Sequence, residues 1–433
     1  MKHKLVLLFL LVTGPLWAQN QLDLSQVIQI CLERNYDVVV ARNTAESAEN
    51  AAVPGNAGLT PTIAINGSGT YSVNNTDLEF AGDIPPTTID GAQSTGYGAN
   101  IGLTYALFDG LGTVYSYKQL KNSATIADLE ARYTIENTLL VSVVTYYNVA
   151  RLKQQLDISQ SNLDISRDRL RRQEVGYDFG SATKLNVLNA EVDYNADSVS
   201  VLQARQSWLN ERRILNQLLG FEIDTEYEVD TNVTYAGGIE LDSMLNSAMQ
   251  NNALLLAAAY REQGADFDIK RAQGQRYPRL DLNAQYGYTN NQNEAGILLQ
   301  QENQGFSGGI TLRWILFDGE RISAQVKNAK LAYESSQELR DKTATGVERD
   351  VKNAWGNYQN DLTVLEIERI NVATNILNFE RSQEQFSRGQ ITSTQFREAQ
   401  RNLALARINL NNARYTLKLS ELELVRLSGR LLQ

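Results

Sequence analysis

Two aspartates in a repeated four-residue motif are the first candidates for chemistry in this sequence. The motif Leu-Phe-Asp-Gly occupies positions 107–110 and 316–319, which places the aspartates at Asp109 and Asp318. A carboxylate in a turn can act as a general acid or base, but its commoner role is to accept backbone N–H bonds at the start of a helix. The following Gly110 and Gly319 tolerate tight turn geometry. We therefore predict that the aspartates cap helices, with acid–base chemistry as the alternative.

Other catalytic and metal-binding sets are excluded by composition. The only histidine, His3, lies in a segment with a charged start, an apolar run and small Ala18, which is typical of a secretory signal peptide. Removal of residues 1–18 leaves a mature chain from about Gln19 without imidazole, which excludes Ser-His-Asp catalysis and the usual zinc sites. The single cysteine, Cys31, cannot form an internal disulfide and lies too far from the cleavage region to carry a lipid anchor. We predict no catalytic residue, cofactor or metal.

The charge and the apolar runs limit the class of protein further. A net charge of −10 argues against nucleic acid as a partner. The N-terminal apolar run is too short to span a bilayer, and no later stretch approaches the roughly 20 apolar residues of a membrane helix. We expect an exported chain without a transmembrane helix.

Each Leu-Phe-Asp-Gly motif joins an alternating segment to a long helical pattern. Apolar and polar residues alternate before the motif with the strand period of two, and a long polar run without proline follows it. The predicted strands are 62–73, 97–108, 280–289 and 306–317. The predicted long helices are 110–175 and 319–386, each about 100 Å long, and the shorter helices that follow them are 182–219 and 393–428.

The whole pattern occurs twice. Leu24, Asn35 and Pro61 recur 217 positions later, and Phe108, Gly180 and Gly220 recur 209 positions later, with the difference falling in a hairpin loop. Each half has the order helix, strand, strand, long helix, turn, helix, and the first helix covers about 22–42. The predicted divisions are the signal peptide 1–18, a first repeat 19–220, an acidic segment 221–238 and a second repeat 239–433.

The strands favour a membrane barrel over a soluble sandwich. Their lengths match the roughly 9 to 11 residues that cross a bilayer, and their polar faces suit a water-filled lumen. Tyrosines, Trp314 and Phe317 cluster towards strand ends, as in an aromatic girdle. Four strands cannot close alone, so two, three or four copies would give about 8, 12 or 16 strands.

Two similar turn motifs follow the long helices, reading GSATKLNVLNA at 180–190 and GQITSTQFREA at 389–399. Together with the corners and the duplication, they make the mature chain resemble the TolC-type outer-membrane efflux family. The resemblance implies a mixed α+β membrane protein whose four strands contribute to a 12-stranded homotrimeric β-barrel, a long α-helical coiled-coil barrel in the periplasm, and an equatorial role for 221–238.

The resemblance also implies a function and partners. The expected function is a passive exit channel in the outer membrane, serving a tripartite efflux pump or a type I secretion system. The expected partners are outer-membrane lipid, a periplasmic adaptor (membrane fusion) protein and an inner-membrane pump of RND or ABC type. The alternative is an exported trimeric coiled-coil scaffold or adhesin.

Site residues carried over from the family lie at the helix tips. Acidic residues six and nine positions after the second tip glycine line the family's periplasmic aperture; here these are Gln395 and Glu398, so one acidic ring is expected. The alternative is a capping box between Thr392 and Gln395 with Glu398 merely solvated. The residues expected to contact the adaptor, or simply to form the turns, are Val175, Gly176, Tyr177, Phe179, Gly180, Thr183, Arg388, Gly389 and Thr392.

Three further expectations concern single positions. The corners should lie at the inner rim of the bilayer, with Phe108 and Phe317 at the interface. Tyr146 and Trp355 occupy equivalent places on the long helices and should pack between helices. The charge clusters 167–172 and 366–369 are typical of solvated helix faces.

Overall fold

The computed structural model describes residues 21–79, 81–83, 85–295 and 298–431, so the predicted signal peptide 1–18 lies outside the described residues. The strands are β1 Gln21–Leu22, β2 Thr62–Leu78, β3 Thr87–Phe108, β4 Glu228–Val229, β5 Arg279–Asn293 and β6 Gln300–Arg313. The helices are α1 Leu24–Arg34, α2 Tyr36–Ala51, α3 Gly112–Asp178, α4 Lys184–Leu218, α5 Leu241–Asn251, α6 Ala253–Gly274, α7 Arg321–Ser387 and α8 Ser393–Leu427. No helix in these described ranges has the length and apolar character needed to cross a membrane.

The chain folds as two compact units. One combines 131–253 and 344–431 with the segment ending at Arg42, and the other combines the described residues of 43–130 and 254–343. The first therefore contains both helix tips, and the second contains the large sheet.

The large sheet is antiparallel, with strand order β2-β3-β5-β6. Residues that lie opposite each other on neighbouring strands are apolar in one row and polar or small in the next. Side chains alternate between the two faces of a strand, so successive rows lie on opposite faces. Two neighbouring rows across the sheet are Ile65, Ile101, Tyr286, Phe306 and Ala64, Gly102, Gln285, Ser307. One face is consequently apolar and the other polar, and β2 and β6 are its edges.

The first hairpin is longer than predicted. Pairing continues beyond Val73↔Gln93 to Leu78↔Thr87, whereas the predicted strands ended at 73 and began at 97. Most of the added residues are polar, and the apolar Leu78, Ile89 and Ala92 show no alternation with a period of two. The backbone ladder nevertheless continues through them, with one irregularity between Asn74 and Thr76. Strand β5 likewise extends to Asn293, beyond the predicted 289.

Strand β6 ends earlier than the predicted residue 317. The last pair is Arg279↔Arg313, and the position that would follow on β5 is Pro278, which has no N–H to donate. Residues 314–317 therefore lie outside the strand. The Trp314 indole N–H instead donates to the carbonyl oxygen of Arg276 at 3.1 Å.

The helix expected over 22–42 is two helices, because Asn35 interrupts it. Asn35 has an extended ψ of 131°, and its side-chain oxygen accepts from the backbone N–H of Asp37 at 2.8 Å, the first turn of α2. Its amide also donates to the carbonyl of Leu218 at 2.8 Å. The duplicate Asn252 ends α5 and donates to the carbonyl of Leu427 at 3.3 Å, so the repeat extends to individual contacts.

The long helices have the same length in both repeats. Helices α3 and α7 contain 67 residues each, and α4 and α8 contain 35 each. At 1.5 Å per residue, α3 and α7 are each about 100 Å long.

The main core of the first unit surrounds Tyr146, whose hydroxyl donates to the carbonyls of Leu22 at 3.2 Å and Asp230 at 3.4 Å. Burial raises the pKa of Tyr146 to about 12. Trp355 packs on a second cluster that includes Val351. The predicted packing roles of Tyr146 and Trp355 are thus confirmed. Segment 221–238 also lies against this core, since the hydroxyl of Tyr415 donates to the carbonyl of Thr231 at 3.1 Å.

Candidate functional site

The first helix tip is a tight turn between α3 and α4. Gly180 has a φ of 76°, a left-handed conformation that favours glycine, and its N–H donates to the carbonyl of Tyr177 at 3.0 Å. The N–H of Ser181 donates to the carbonyl of Gly176 at 2.7 Å. Thr183 then caps α4 by accepting from the N–H of Asn186 at 3.2 Å. The turn therefore satisfies the carbonyls of Val175, Gly176 and Tyr177 at the end of α3 and the Asn186 amide at the start of α4.

The second tip repeats this turn between α7 and α8. Gly389 has a φ of 72°, and its N–H donates to the carbonyl of Phe386 at 3.0 Å. Thr392 is the N-cap of α8 and forms a capping box with Gln395: the Gln395 N–H donates to the Thr392 hydroxyl at 3.3 Å, and the Thr392 N–H donates to the Gln395 side-chain oxygen at 2.9 Å. Arg388 forms an exposed ion pair with Glu384.

The two tips differ in their aromatic residues. At the first, Phe179 is 85% exposed and Tyr177 is also exposed. At the second, Phe386 stacks on Phe396 with ring centroids 4.8 Å apart, and Phe379 packs on the same Phe396 at 5.6 Å. Apolar surface is therefore free at the first tip and used for internal packing at the second. This aromatic cluster was not predicted, although Phe379 and Phe386 lie seven residues apart on one helix face.

Glu398 and Gln395 have different environments. Gln395 directs its side-chain oxygen to the N-terminus of α8, as described above. Glu398 is exposed, and its carboxylate makes no hydrogen bond or ion pair with any residue in the described part of the chain. Of these two residues, only Glu398 presents a free negative charge.

A buried polar cluster lies next to Glu398 and joins α3, α4 and α8. Arg397 makes a two-point ion pair with Asp197, with N–O distances of 2.6 and 2.9 Å. Ser166 donates to Asp197 and accepts from Gln400 at 2.8 Å. Arg169 is only 2% exposed and pairs with Asp193, whose other oxygen lies 3.5 Å from Nε of Arg397. Two arginines and two aspartates thus neutralise each other inside the helical unit.

The ion pair with Asp193 offsets the cost of burying Arg169. Burial lowers the pKa of Arg169, and the ion pair with Asp193 opposes that shift by stabilising the guanidinium. A buried charge is tolerated when it is paired and hydrogen-bonded, and every member here has such a partner.

The interpretation of 167–172 as a solvated face is wrong for Arg169. No local sequence signal distinguishes Arg169 from its exposed neighbours, because its partner Asp193 lies on another helix. The one indirect indication in the sequence is that Ser166, three residues before Arg169, lies on the seven-residue seam of α3. In the structure Ser166 is completely buried.

The two corners have matching geometry. The Asp109 carboxylate accepts from the N–H of Thr113 at 2.8 Å, and the Asp318 carboxylate accepts from the N–H of Ile322 at 2.9 Å. After each aspartate, two residues in succession have positive φ: Gly110 and Leu111, then Gly319 and Glu320. A side chain on Gly110 would lie 2.0 Å from the carbonyl oxygen of Gly274, so the backbones approach too closely for any other residue. The second corner differs because β6 stops four residues before it.

A comparison with known protein families matches both repeats of the chain. A family model described as Outer membrane efflux protein matches residues 27–221 and 244–430, one segment in each repeat. The chain belongs to the outer membrane efflux protein family. This membership locates the chain in the outer membrane, with its helical part in the periplasm.

Two relatives from the family match between three quarters and nearly all of the chain. The outer membrane protein TolC of Vibrio cholerae is 23% identical over 423 residues, covering 97% of this chain and 93% of the relative. The outer membrane efflux protein BepC of Brucella suis is 22% identical over 333 residues, covering 76% of this chain and 72% of the relative.

Solved structures show the same fold. The CmeC outer membrane channel of Campylobacter jejuni has a TM-score of 0.79 at 15% identity, covering 94% of this chain and 85% of that one. The outer membrane protein VceC of Vibrio cholerae has a TM-score of 0.76 at 17% identity, with coverage of 94% and 96%. These structures confirm the TolC-like fold. The family match makes the chain an outer-membrane efflux channel, and the family and its relatives are channel proteins, not enzymes.

Proposed function

We propose that three copies of this chain form a 12-stranded barrel in the outer membrane that continues into a helical tube in the periplasm. The duct is passive. Its substrates are delivered by a periplasmic adaptor and an inner-membrane transporter of RND or ABC type, in a tripartite efflux pump or a type I secretion system.

The proposal rests on the sheet, because the sheet of a single copy suits neither water nor lipid. Its apolar face is exposed, with Ile65 79% and Phe306 73% accessible. Burial of that face in lipid is favourable, but a sheet in lipid requires every edge strand to be paired. Strands β2 and β6 have no partner beyond them within the described sheet, so other copies must supply one.

The apolar face has the height of a bilayer core. On β5 it runs from Leu280 through Leu282 and Tyr286 to Tyr288. These nine positions extend about 27 Å at the rise of an antiparallel strand, close to the roughly 25 Å band of outer-membrane barrels. The tyrosines lie at one end, as interfacial residues do, and we assign the opposite end, with the Asp109 and Asp318 corners and with Phe108 and Phe317, to the periplasmic rim.

The helix tips support a docking role. Tyr177 and Phe179 are exposed on a turn held by backbone hydrogen bonds, and exposed aromatic residues on a rigid turn are typical of protein interfaces. Val175, Gly176, Gly180 and Thr183 shape that surface, while Arg388, Gly389 and Thr392 shape the second tip. The adaptor is the partner we assign to both.

Glu398 supports charge selection at the periplasmic aperture. In a trimer its free carboxylate would occur three times around one axis, and clustered like charges raise the local concentration of cations. Gln395, engaged in the helix cap one turn earlier, adds no charge.

The experiment is single-channel recording of the purified protein in planar bilayers. Trimers that insert and conduct support the proposal. A stable trimer that never forms pores contradicts it and favours the alternative, an exported coiled-coil scaffold.

A further inference from the structure

The four strands of the large sheet carry their charged side chains only at the two ends of the sheet. The end that leads into the Leu-Phe-Asp-Gly corners, the corner end, has both arginines, and the opposite hairpin end has acids alone. From the corner end to the hairpin end, the charged residues are Arg279, Arg313, Asp281, Glu302, Asp90 and Asp77. The sequence has no lysine or arginine in 43–117 or in 280–312. The two arginines are therefore the only basic side chains on these strands.

Arg279 and Arg313 lie directly opposite each other on β5 and β6. Like charges in this arrangement destabilise a sheet, so the pair lowers the stability of its end. Because side chains alternate along a strand, Arg279 shares a face with Asp281, and Arg313 shares a face with Thr311. This is the polar face, which the proposed channel turns towards its lumen. Both arginines consequently belong to the wall of the proposed duct.

The nearby carboxylates neutralise only one of the two guanidinium groups. Nε of Arg279 lies 3.0 and 2.9 Å from the two carboxylate oxygens of Asp281. Asp109 is also close enough to interact with Arg279, but its carboxylate accepts from the N–H and the hydroxyl of Thr113 at 2.8 and 3.3 Å. Arg313 is exposed and makes no hydrogen bond or ion pair with any side chain in the described ranges. One positive charge is thus left without a counter-charge on the polar face.

We propose that Arg313, together with Arg279, binds the oxyanion groups of passing cargo, namely carboxylates, phosphates or sulfates, at the inner end of the barrel. The inference rests on the proposed channel, since only a closed barrel turns this face into a lumen. A guanidinium presents a planar fork of N–H donors that matches the oxygens of such groups. The contact with Asp281 uses only Nε of Arg279, and neighbouring strands lie about 5 Å apart, so one oxyanion can contact both arginines.

In the proposed duct, three copies place three of these arginine pairs between two acidic regions. Glu398 provides the acid at the helix tips, and the three acids of the hairpin end lie on the other side. Clustered charges of one sign raise the local concentration of ions of the opposite sign. The arginine pairs therefore add a second point of selection to the duct, opposite in sign to the one proposed at Glu398.

The test is block of single-channel current by inorganic pyrophosphate in planar bilayers, at about 0.1 M salt so that screening is weak. Arg313→Gln removes the unpaired charge and should raise the pyrophosphate concentration for half-block about three- to five-fold, the scale of one solvated ion pair. Arg313→Lys is the matched control, because it keeps the charge at the same position, and it should retain most of the block. Asp281→Asn frees Arg279 and should strengthen the block.

Channels of normal conductance with equal block in the wild type, Arg313→Gln and Asp281→Asn would overturn the anion site and leave the proposed channel intact. Unchanged block combined with slower insertion of Arg313→Gln into bilayers rich in phosphatidylglycerol would assign the arginine to lipid phosphate, which would equally overturn the lumen site. A wild-type trimer that never forms pores would overturn the proposed channel and the site with it.

Discussion

Arg397 and Glu398 are neighbours in sequence with opposite environments. Arg397 is paired with Asp197 inside the helical unit, and Glu398 is exposed without a partner. Successive residues of a helix point about 100° apart, so a single turn of α8 can carry both a buried ion pair and a solvent-facing charge. The first should matter for stability and the second for ion selection.

For ion selection, we expect Glu398→Gln to weaken the preference for cations and the block by multivalent cations, because it removes the charge with little change in shape. The measurement is the reversal potential of single channels in a salt gradient. Glu338→Gln, at an exposed glutamate elsewhere on α7, is the matched control and should leave the potential unchanged. Unaltered selectivity in Glu398→Gln would remove this residue from the aperture.

For stability, we expect Asp197→Asn to destabilise the protein by about 3 kcal/mol, since it leaves the buried Arg397 guanidinium without its two-point partner. The exposed pair of Glu384 with Arg388 is the comparison, and Glu384→Gln should cost about 0–1 kcal/mol. Thermal unfolding followed by far-ultraviolet circular dichroism measures both. Equal shifts for the two variants would contradict the importance assigned to burial.

At the scale of elements, the four helix-terminal glycines Gly180, Gly220, Gly389 and Gly429 share a left-handed backbone but differ in their surroundings. Nothing lies within 4 Å of the position where a side chain on Gly389 would begin. A side chain on Gly429 would lie 2.7 Å from the carbonyl oxygen of Asn251, at the end of α5. The tip glycine is required for the turn alone, whereas Gly429 is required for the turn and for the packing of two helices.

We therefore expect Gly389→Ala to cost about 1 kcal/mol, the price of a left-handed residue with a Cβ. Gly429→Ala should cost roughly 1–3 kcal/mol more, because the backbone of α5 has to move. The two alanine variants, compared by the same unfolding measurement, control for each other. A larger loss for Gly389→Ala would show that its tip has neighbours in the assembled protein.

At the scale of the whole molecule, a variant of the exposed aromatic residues at the first tip tests adaptor docking separately from conduction. We expect the double variant Tyr177→Ser with Phe179→Ser to reduce adaptor binding by roughly ten-fold or more, since aromatic anchors dominate interface energies. Conductance in planar bilayers should be unchanged because the duct itself is intact. Copurification of a periplasmic adaptor from cells measures binding, and Leu331→Ser, at another exposed apolar position, is the control. Normal adaptor recovery in the double variant would contradict docking at this tip.

The sequence by itself determined the duplication, the alternating strands, the long helices and the composition of both tip turns. These features depend on residues that are close in the chain: a period of two or of seven, a glycine where φ is positive, or a threonine three residues before its capping partner. Even the family resemblance was carried by such local motifs and by their order.

The tertiary structure alone decided which polar residues are buried and where pairing stops. Arg169 has the same local surroundings as its solvated neighbours, and Arg397 lies 200 residues from Asp197, so only the packing of α3, α4 and α8 brings the charges together. Asn35 ends one helix and caps the next, and its amide donates to the distant Leu218, which holds it in that position. Strand β6 stops at Arg313 because the residue opposite its continuation is a proline and its other edge is unpaired. In each case the deciding partner lies far along the chain, where no sequence periodicity can indicate it.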